Sequence, residues 1–158
     1  MSEMTEEAAL DKLAAWCSTA EHCESEAVDK LMKWGIDPIV QSRILQKLRK
    51  DGFLNESRYC KAFVNDKFRF QKWGRKKIGE ALYLKKINRG SIDEALSLID
   101  SVEYAEMLQA LLKAKNRSLH ETDEYQRRAK LYRFAMSRGF ESKVIGQFID
   151  LDEVPEVD

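Results

Sequence analysis

The chain has 158 residues, enough for one domain that buries roughly two-thirds of the surface its unfolded form exposes. Charged residues make up 34% of it, Gly and Pro number only 7 and 2, and Lys plus Arg balance Asp plus Glu at 27 each, which favours an all-α fold over a turn-rich β fold and leaves no net charge. Three cysteines without C-x-x-C spacing, two histidines, an acidic start and no stretch of 18 apolar residues argue against a disulfide scaffold, a metal centre, a signal peptide and a membrane span, and point to the cytoplasm.

In chain order, a first helix is expected near 5–20, inside a segment where residues 1 to 29 set eight acids against Lys12 alone. A second follows near 25–34. Asp37-Pro38 then supplies an N-cap acid and a proline at the first helical position, where the missing N–H is not needed, and the helix over 38–50 stops at Gly52. Asn55 caps the next helix, near 55–71, with Leu54 spaced to staple onto Tyr59 and with Cys60, Phe63, Val64 and Phe68 on its apolar face. Cys60 on that stripe reads as a small core residue. Helices near 75–86 and 92–100 come after it, the second opened by the capping box Ser91-Ile92-Asp93-Glu94. The last three are expected near 102–115, 122–138 and 141–150, the middle one opened by Thr122-Asp123-Glu124.

These helices fall into three similar sets. DKLMKWGIDPIVQSRILQKL, EALYLKKINRGSIDEALSLI and AKLYRFAMSRGFESKVIGQFI each show a helix ending in a basic turn, an apolar residue, a cap and another helix, with Ile36, Ile87 and Phe140 at the equivalent apolar position, 51 and 53 residues apart. A period of about 52 residues indicates tandem three-helix repeats that stack into an elongated, curved helical array presenting an extended surface. The expected divisions are 1–54, a first repeat with an acidic N-terminus; 55–101, a basic second repeat; 102–151, a third repeat; and 152–158, an acidic tail.

Charge is segregated along the chain. Residues 56 to 89 hold 11 Lys or Arg against Glu56, Asp66 and Glu80, about +8, so the remainder carries about −8. At the centre, KFRFQKWGRKKI crowds Lys67, Arg69, Lys72, Arg75, Lys76 and Lys77 around Phe68, Phe70 and Trp73. Arg75, Lys76 and Lys77 occupy a first helical turn, where the backbone dipole opposes cations by roughly 0.3–1 kcal/mol each. A helix N-terminus edged with cations is a receptor for phosphate or carboxylate. The bland alternative is a solvated face balanced by the acidic termini. Phe68 belongs to the buried stripe, whereas Phe70 and Trp73 lie off it and suit either stacking at an interface or packing on a neighbouring repeat. Arg127, Arg128, Lys130, Arg133 and Arg138 form a second basic group on a conventionally capped helix and read as a solvated face; Arg133 and Arg138 extend one stripe with Lys85, Lys86 and Arg89 if the repeats stack. His22 and His120 sit in polar boundary segments without a nucleophile arrangement, and no Gly-rich phosphate loop occurs, so neither an enzyme nor a cofactor is expected.

Residues 51–87 resemble the middle repeat of the RecX family, regulators of the RecA recombinase. The likeness lies in Gly52-Phe53-Leu54-Asn55-Glu56, Arg58-Tyr59, Phe63-Val64, Lys67, the run Trp73-Gly74-Arg75-Lys76-Lys77-Ile78, and Leu82 through Ile87, with a weaker likeness from Lys12 to Leu151 that includes Ser137-Arg138-Gly139-Phe140. The first repeat departs from the family pattern, with Cys23, Glu24 and Asp29 in place of a Ser cap and basic followers. The resemblance implies a non-enzymatic modulator of homologous recombination and the SOS response that binds the RecA–DNA filament, inhibits strand exchange and co-protease activity, and in some members binds single- or double-stranded DNA. It makes Arg58, Lys67, Arg69, Lys72, Arg75, Lys76 and Lys77 candidates for contact with an acidic recombinase surface or filament phosphates, with pairing to Glu56 or to an acid of an adjacent repeat as the alternative for Arg58. Trp73, Lys85, Lys86 and Arg89 complete the expected binding surface, and Arg127, Arg128, Arg133 and Arg138 a secondary one. Neither a membrane nor a small-molecule substrate is expected. The rival readings are a helical DNA-binding protein without recombinase contact and a helical-repeat adaptor for an acidic protein.

Overall fold

Capping chemistry sets most of the helix boundaries in the computed structural model, which describes residues 4–150. Thr5 accepts the Ala8 N–H at 3.1 Å to open α1 (Glu6–Thr19). Cys23 takes the N-cap position of α2 (Glu24–Lys33), and its own N–H donates to Glu26 at 3.0 Å. Asp37 accepts from Ile39 N–H at 2.9 Å ahead of Pro38 and α3 (Pro38–Lys50), which runs out at Gly52, φ +80°. Asn55 accepts from Arg58 N–H at 2.9 Å to start α4 (Glu56–Arg69). The remaining helices are α5 (Arg75–Leu84), α6 (Arg89–Leu96), α7 (Ser101–Ser118), α8 (Glu124–Ser137, capped by Asp123) and α9 (Ser142–Ile145).

Two expected boundaries are corrected. α6 begins at Arg89, ahead of the Ser91 box, because Asn88 is the residue whose side chain accepts the Ser91 N–H, at 2.8 Å, while the Ser91 hydroxyl donates to Glu56 at 2.7 Å. α9 keeps only four residues of the stretch expected over 141–150, the chain continuing as tight turns through Phe148 and Ile149. The expected acidic tail, 152–158, lies outside the described residues.

The threefold repeat is written in the hydrogen bonding. The second helix of each set ends with a residue of positive φ, Gly35 at +70°, Lys86 at +64° and Gly139 at +95°. The next residue, Ile36, Ile87 or Phe140, donates its N–H five residues back to Leu31, Leu82 or Ala135 at 3.0, 3.3 and 3.2 Å, and all three of these apolar side chains are buried. This is one helix-ending motif used three times, with its hydrophobic residue tucked under the turn.

The chain divides into two compact units that do not follow the repeats, so the middle repeat contributes to both. The first comprises residues 1–63 and 82–92. In it α1 and α2 pack on α3 around Ala9, Leu13, Leu31, Ile44, Leu48 and Leu54. Each such Leu or Ile side chain contributes roughly 1.5–3 kcal/mol through burial. The second comprises residues 64–81 and the chain from 93 onward, with α7 against α8 and α8 against α9. Its centre is aromatic: the Tyr104 ring lies 5.8 Å from that of Phe68 and 5.0 Å from that of Phe140. Among the described residues no helix is long and apolar enough to cross a membrane.

Candidate functional site

The basic run lies where α4 gives way to α5. After Arg69 the chain turns through Lys72, φ +59°, the Trp73 N–H donates back to Lys67 carbonyl at 2.9 Å, and α5 opens behind Gly74.

The expectation that the start of α5 is an open anion receptor is corrected here, because its donors are already used inside the second unit. Gly74 N–H donates to the Arg138 carbonyl at 2.7 Å, Lys76 N–H to the Gly139 carbonyl at 3.0 Å, and Arg75 N–H to the Tyr104 hydroxyl oxygen at 2.9 Å. Two glycines permit this. A Cβ on Gly74 would stand 2.4 Å from the Gly139 carbonyl carbon and oxygen, and one on Gly139 would stand 2.4 Å from Lys77 Cβ. The α8–α9 turn thus caps α5 from outside, in place of the side-chain cap that helix termini ordinarily use.

Arg75 is corrected with it. Its guanidinium lies 3.8 Å from the centre of the Tyr104 ring and pairs with Glu141 at 2.9 Å, and the Tyr104 hydroxyl donates to the other oxygen of that carboxylate. Arg75 is therefore a cation held by the fold.

The other predicted cations separate by the same criterion. In the first unit, Arg58 pairs with Glu21 and also donates to the Gly52 carbonyl at 2.9 Å, and Lys85 donates to Glu26 at 3.2 Å. In the second unit, Arg69 pairs with Glu103 at 3.0 Å, Arg128 with Glu124 at 3.5 Å, and Arg127 donates to Asn116 at 2.9 Å and to the Glu121 carbonyl. Lys85, Lys86 and Arg89 belong to the first unit, Arg133 and Arg138 to the second.

Two further cations of the second unit, Lys67 and Lys77, lie over one aromatic ring, and Lys67 also stands 3.8 Å from the Asp66 carboxylate. Trp73 is half-buried, with the Lys67 and Lys77 ammonium groups 5.0 and 4.6 Å from its ring centre. Lys72 and Lys76 are exposed and meet no carboxylate among the described residues. Arg138 donates through Nη2 to the Gln71 carbonyl at 2.6 Å, while its Nε is buried without a partner. Phe70 is 72% exposed, whereas Phe68 is core, as its helical position predicts. Tyr104, Glu141 and Gln71 escape sequence reasoning. The one available signal was the pair of glycines preceding Arg75 and Phe140, which marks two turns able to approach each other.

Burial pushes the Cys60 thiol up to about 11, so it is protonated near neutrality. Glu26 is partly desolvated, which raises its pKa, but the Cys23 N–H and the Lys85 ammonium outweigh burial and hold it below 4.5. A depressed carboxylate contributes stability that is present above pH 4.5 and lost as pH falls through its folded value. Glu26→Gln should therefore cost about 1 kcal/mol at neutral pH and flatten the acid limb of a stability-versus-pH curve; an unchanged acid limb contradicts the assignment. Among the described residues no group of three His, Cys, Asp or Glu is placed to hold a metal ion.

Comparison with known proteins gives a consistent result. The family profile described as RecX, second three-helix domain, matches residues 55–96, and that described as RecX, third three-helix domain, matches residues 102–149. The chain is 30% identical over 150 residues to the regulatory protein RecX of Chlorobium phaeobacteroides, covering 95% of this chain and 97% of that one. It is 32% identical to the regulatory protein RecX of Clostridium beijerinckii and 34% identical to that of Clostridium botulinum, covering 85% and 77% of this chain but 63% and 58% of theirs, so it spans about six tenths of the length of these clostridial relatives. The crystal structure of RecX from Lactobacillus salivarius superposes with a TM-score of 0.82 at 22% identity over 90% of this chain and 92% of that one, a likeness of fold.

Proposed function

Because the chain belongs to the RecX family of regulatory proteins, we propose that it binds the RecA–DNA filament and restrains strand exchange and co-protease activity by occupancy, without chemistry of its own. The observation that supports this best is the exposed pair Lys72 and Lys76, which meet no carboxylate among the described residues and flank Trp73 in sequence, with the Lys77 ammonium over the Trp73 ring. Like charges gathered without internal carboxylates repel one another, and an external polyanion removes that repulsion while releasing its own counterions. Exposed Phe70, three residues before Trp73 in sequence, supplies an apolar contact, which phosphate attraction alone lacks.

The test is RecA-driven strand exchange, with filament ATPase in parallel, comparing the wild type with the triple change Lys72→Glu, Lys76→Glu, Lys77→Glu. Arg75 is left intact because the fold uses it. Inhibition should weaken at least about tenfold, the order expected for losing several phosphate contacts, with helicity and unfolding midpoint retained. Undiminished inhibition by the folded triple variant removes this surface from the account. Equal affinity for bare DNA and for filament favours a helical DNA-binding protein without recombinase contact.

A further inference from the structure

We infer that Lys72 and Lys86 each contact a nucleic-acid phosphate, because each holds a lysine in a backbone conformation that the fold itself would assign to glycine. The inference rests on the reading of the basic middle as the partner-binding surface and names the residues and the ligand chemistry within it.

Five described residues have positive φ: Gly35, Gly52 and Gly139, and then Lys72 and Lys86 at +59° and +64°. The left-handed region crowds the Cβ of any L residue, and Asn or Asp, whose short side chains hydrogen-bond locally, are its usual non-glycine occupants. Lysine has no such compensation. The comparison is internal for Lys86, since the turns of the other two repeats are closed by the same hydrogen bonds: Gly35 N–H to Met32, Lys86 N–H to Tyr83 and Gly139 N–H to Met136, each at 3.0 Å. Geometry thus favours glycine at all three positions, and only the middle repeat departs from it.

The folded chain gains little in return, since a cation just past the C-terminus of α4 or α5 is only weakly stabilised by the helix dipole at an exposed site. Both lysines are exposed, and neither ammonium has a partner among the described residues. Lys86 stands at a cleft of about 430 Å³ in the first unit, whose other cations, Arg49 and Lys85, are taken by Glu24 and Glu26. Strain held where the surrounding structure does not need the side chain points outward, to a ligand. A lone ammonium on a flexible stem at the apex of a turn suits a point contact with a backbone phosphate, which demands charge but no planar pairing geometry. The two positions lie in different units and are separate contacts.

The experiment uses the full chain and a single-stranded DNA oligonucleotide, with binding measured from about 50 to about 200 mM salt. Lys72→Gly and Lys86→Gly should each reduce the slope of log affinity against log salt by about 0.7, and should raise the thermal unfolding midpoint by about 2–4 °C through relief of strain. Lys72→Arg and Lys86→Arg should keep the wild-type slope. An unchanged slope in the glycine variants overturns the inference, as does a wild type that does not bind the oligonucleotide at the lowest salt. A glycine variant that loses affinity only for poly-glutamate assigns the contact to protein carboxylates and overturns it too. Filament inhibition is read in parallel: inhibition with no change of slope defeats this inference alone, and altered slopes without inhibition defeat the functional reading alone.

Discussion

Gly74→Ala is expected to destabilise the protein by about 3 kcal/mol, at the upper end of what overpacking costs, and to lower its thermal midpoint by about 6–12 °C. The added methyl would sit 2.4 Å from the carbon and oxygen of the Gly139 carbonyl and 2.5 Å from the Phe140 nitrogen, all backbone atoms that no rotamer change can move aside. To admit it, the α8–α9 turn must withdraw from the start of α5, breaking the bonds from Gly74 N–H to Arg138 and from Lys76 N–H to Gly139. Gly139→Ala should be as damaging, since its φ of +95° adds backbone strain to a 2.4 Å approach to Lys77 Cβ. Gly35→Ala is the control. Its φ is +70° but nothing lies within 4 Å, so only the conformational cost of about 1 kcal/mol applies. Denaturation of the three variants should give that order, and a Gly74→Ala protein no less stable than Gly35→Ala contradicts the close approach.

Tyr104→Phe should cost about 2 kcal/mol, because one buried hydroxyl serves two partners. It accepts the Arg75 N–H at 2.9 Å and donates to Glu141, whose other oxygen holds the Arg75 guanidinium. The ring itself, 1% exposed between Phe68 and Phe140, is retained by phenylalanine, so the loss isolates the hydrogen bonds from the packing. Arg75→Ala and Glu141→Ala should each destabilise, and the double variant should lose less than their sum, as expected of groups in one network. Strict additivity in denaturant titrations removes the network. On the proposed function, Arg75→Ala should impair filament inhibition only as far as it loosens the start of α5, whereas the Lys72→Glu, Lys76→Glu, Lys77→Glu variant should impair it with stability intact.

Much of this molecule follows from local chemistry. Asp37-Pro38, Asn55, Asp123 and the stops at Gly35, Gly52 and Gly139 are short-range signals, and each is used as its residue type predicts. The positions of Ile36, Ile87 and Phe140 exposed the threefold repeat because a helix-ending turn needs an apolar residue at a fixed offset. Asn88 and Ser91 compete locally as good caps, and Asn88 takes the role while Glu56, 35 residues from Ser91 in sequence, accepts the Ser91 hydroxyl.

The basic surface is where periodicity stops being informative. Composition shows that residues 56 to 89 are rich in Lys and Arg, since charge is a property of residue types and is fixed once the chain is written. Which of those charges remain available is a property of distance. Arg58, Arg69, Arg75 and Lys85 meet Glu21, Glu103, Glu141 and Glu26, each 34 or more residues away, and Lys72 and Lys76 meet no such partner among the described residues. Coulomb energy falls off with separation in space and is indifferent to separation along the chain, so only folding could sort the cations held by carboxylates from those left facing solvent.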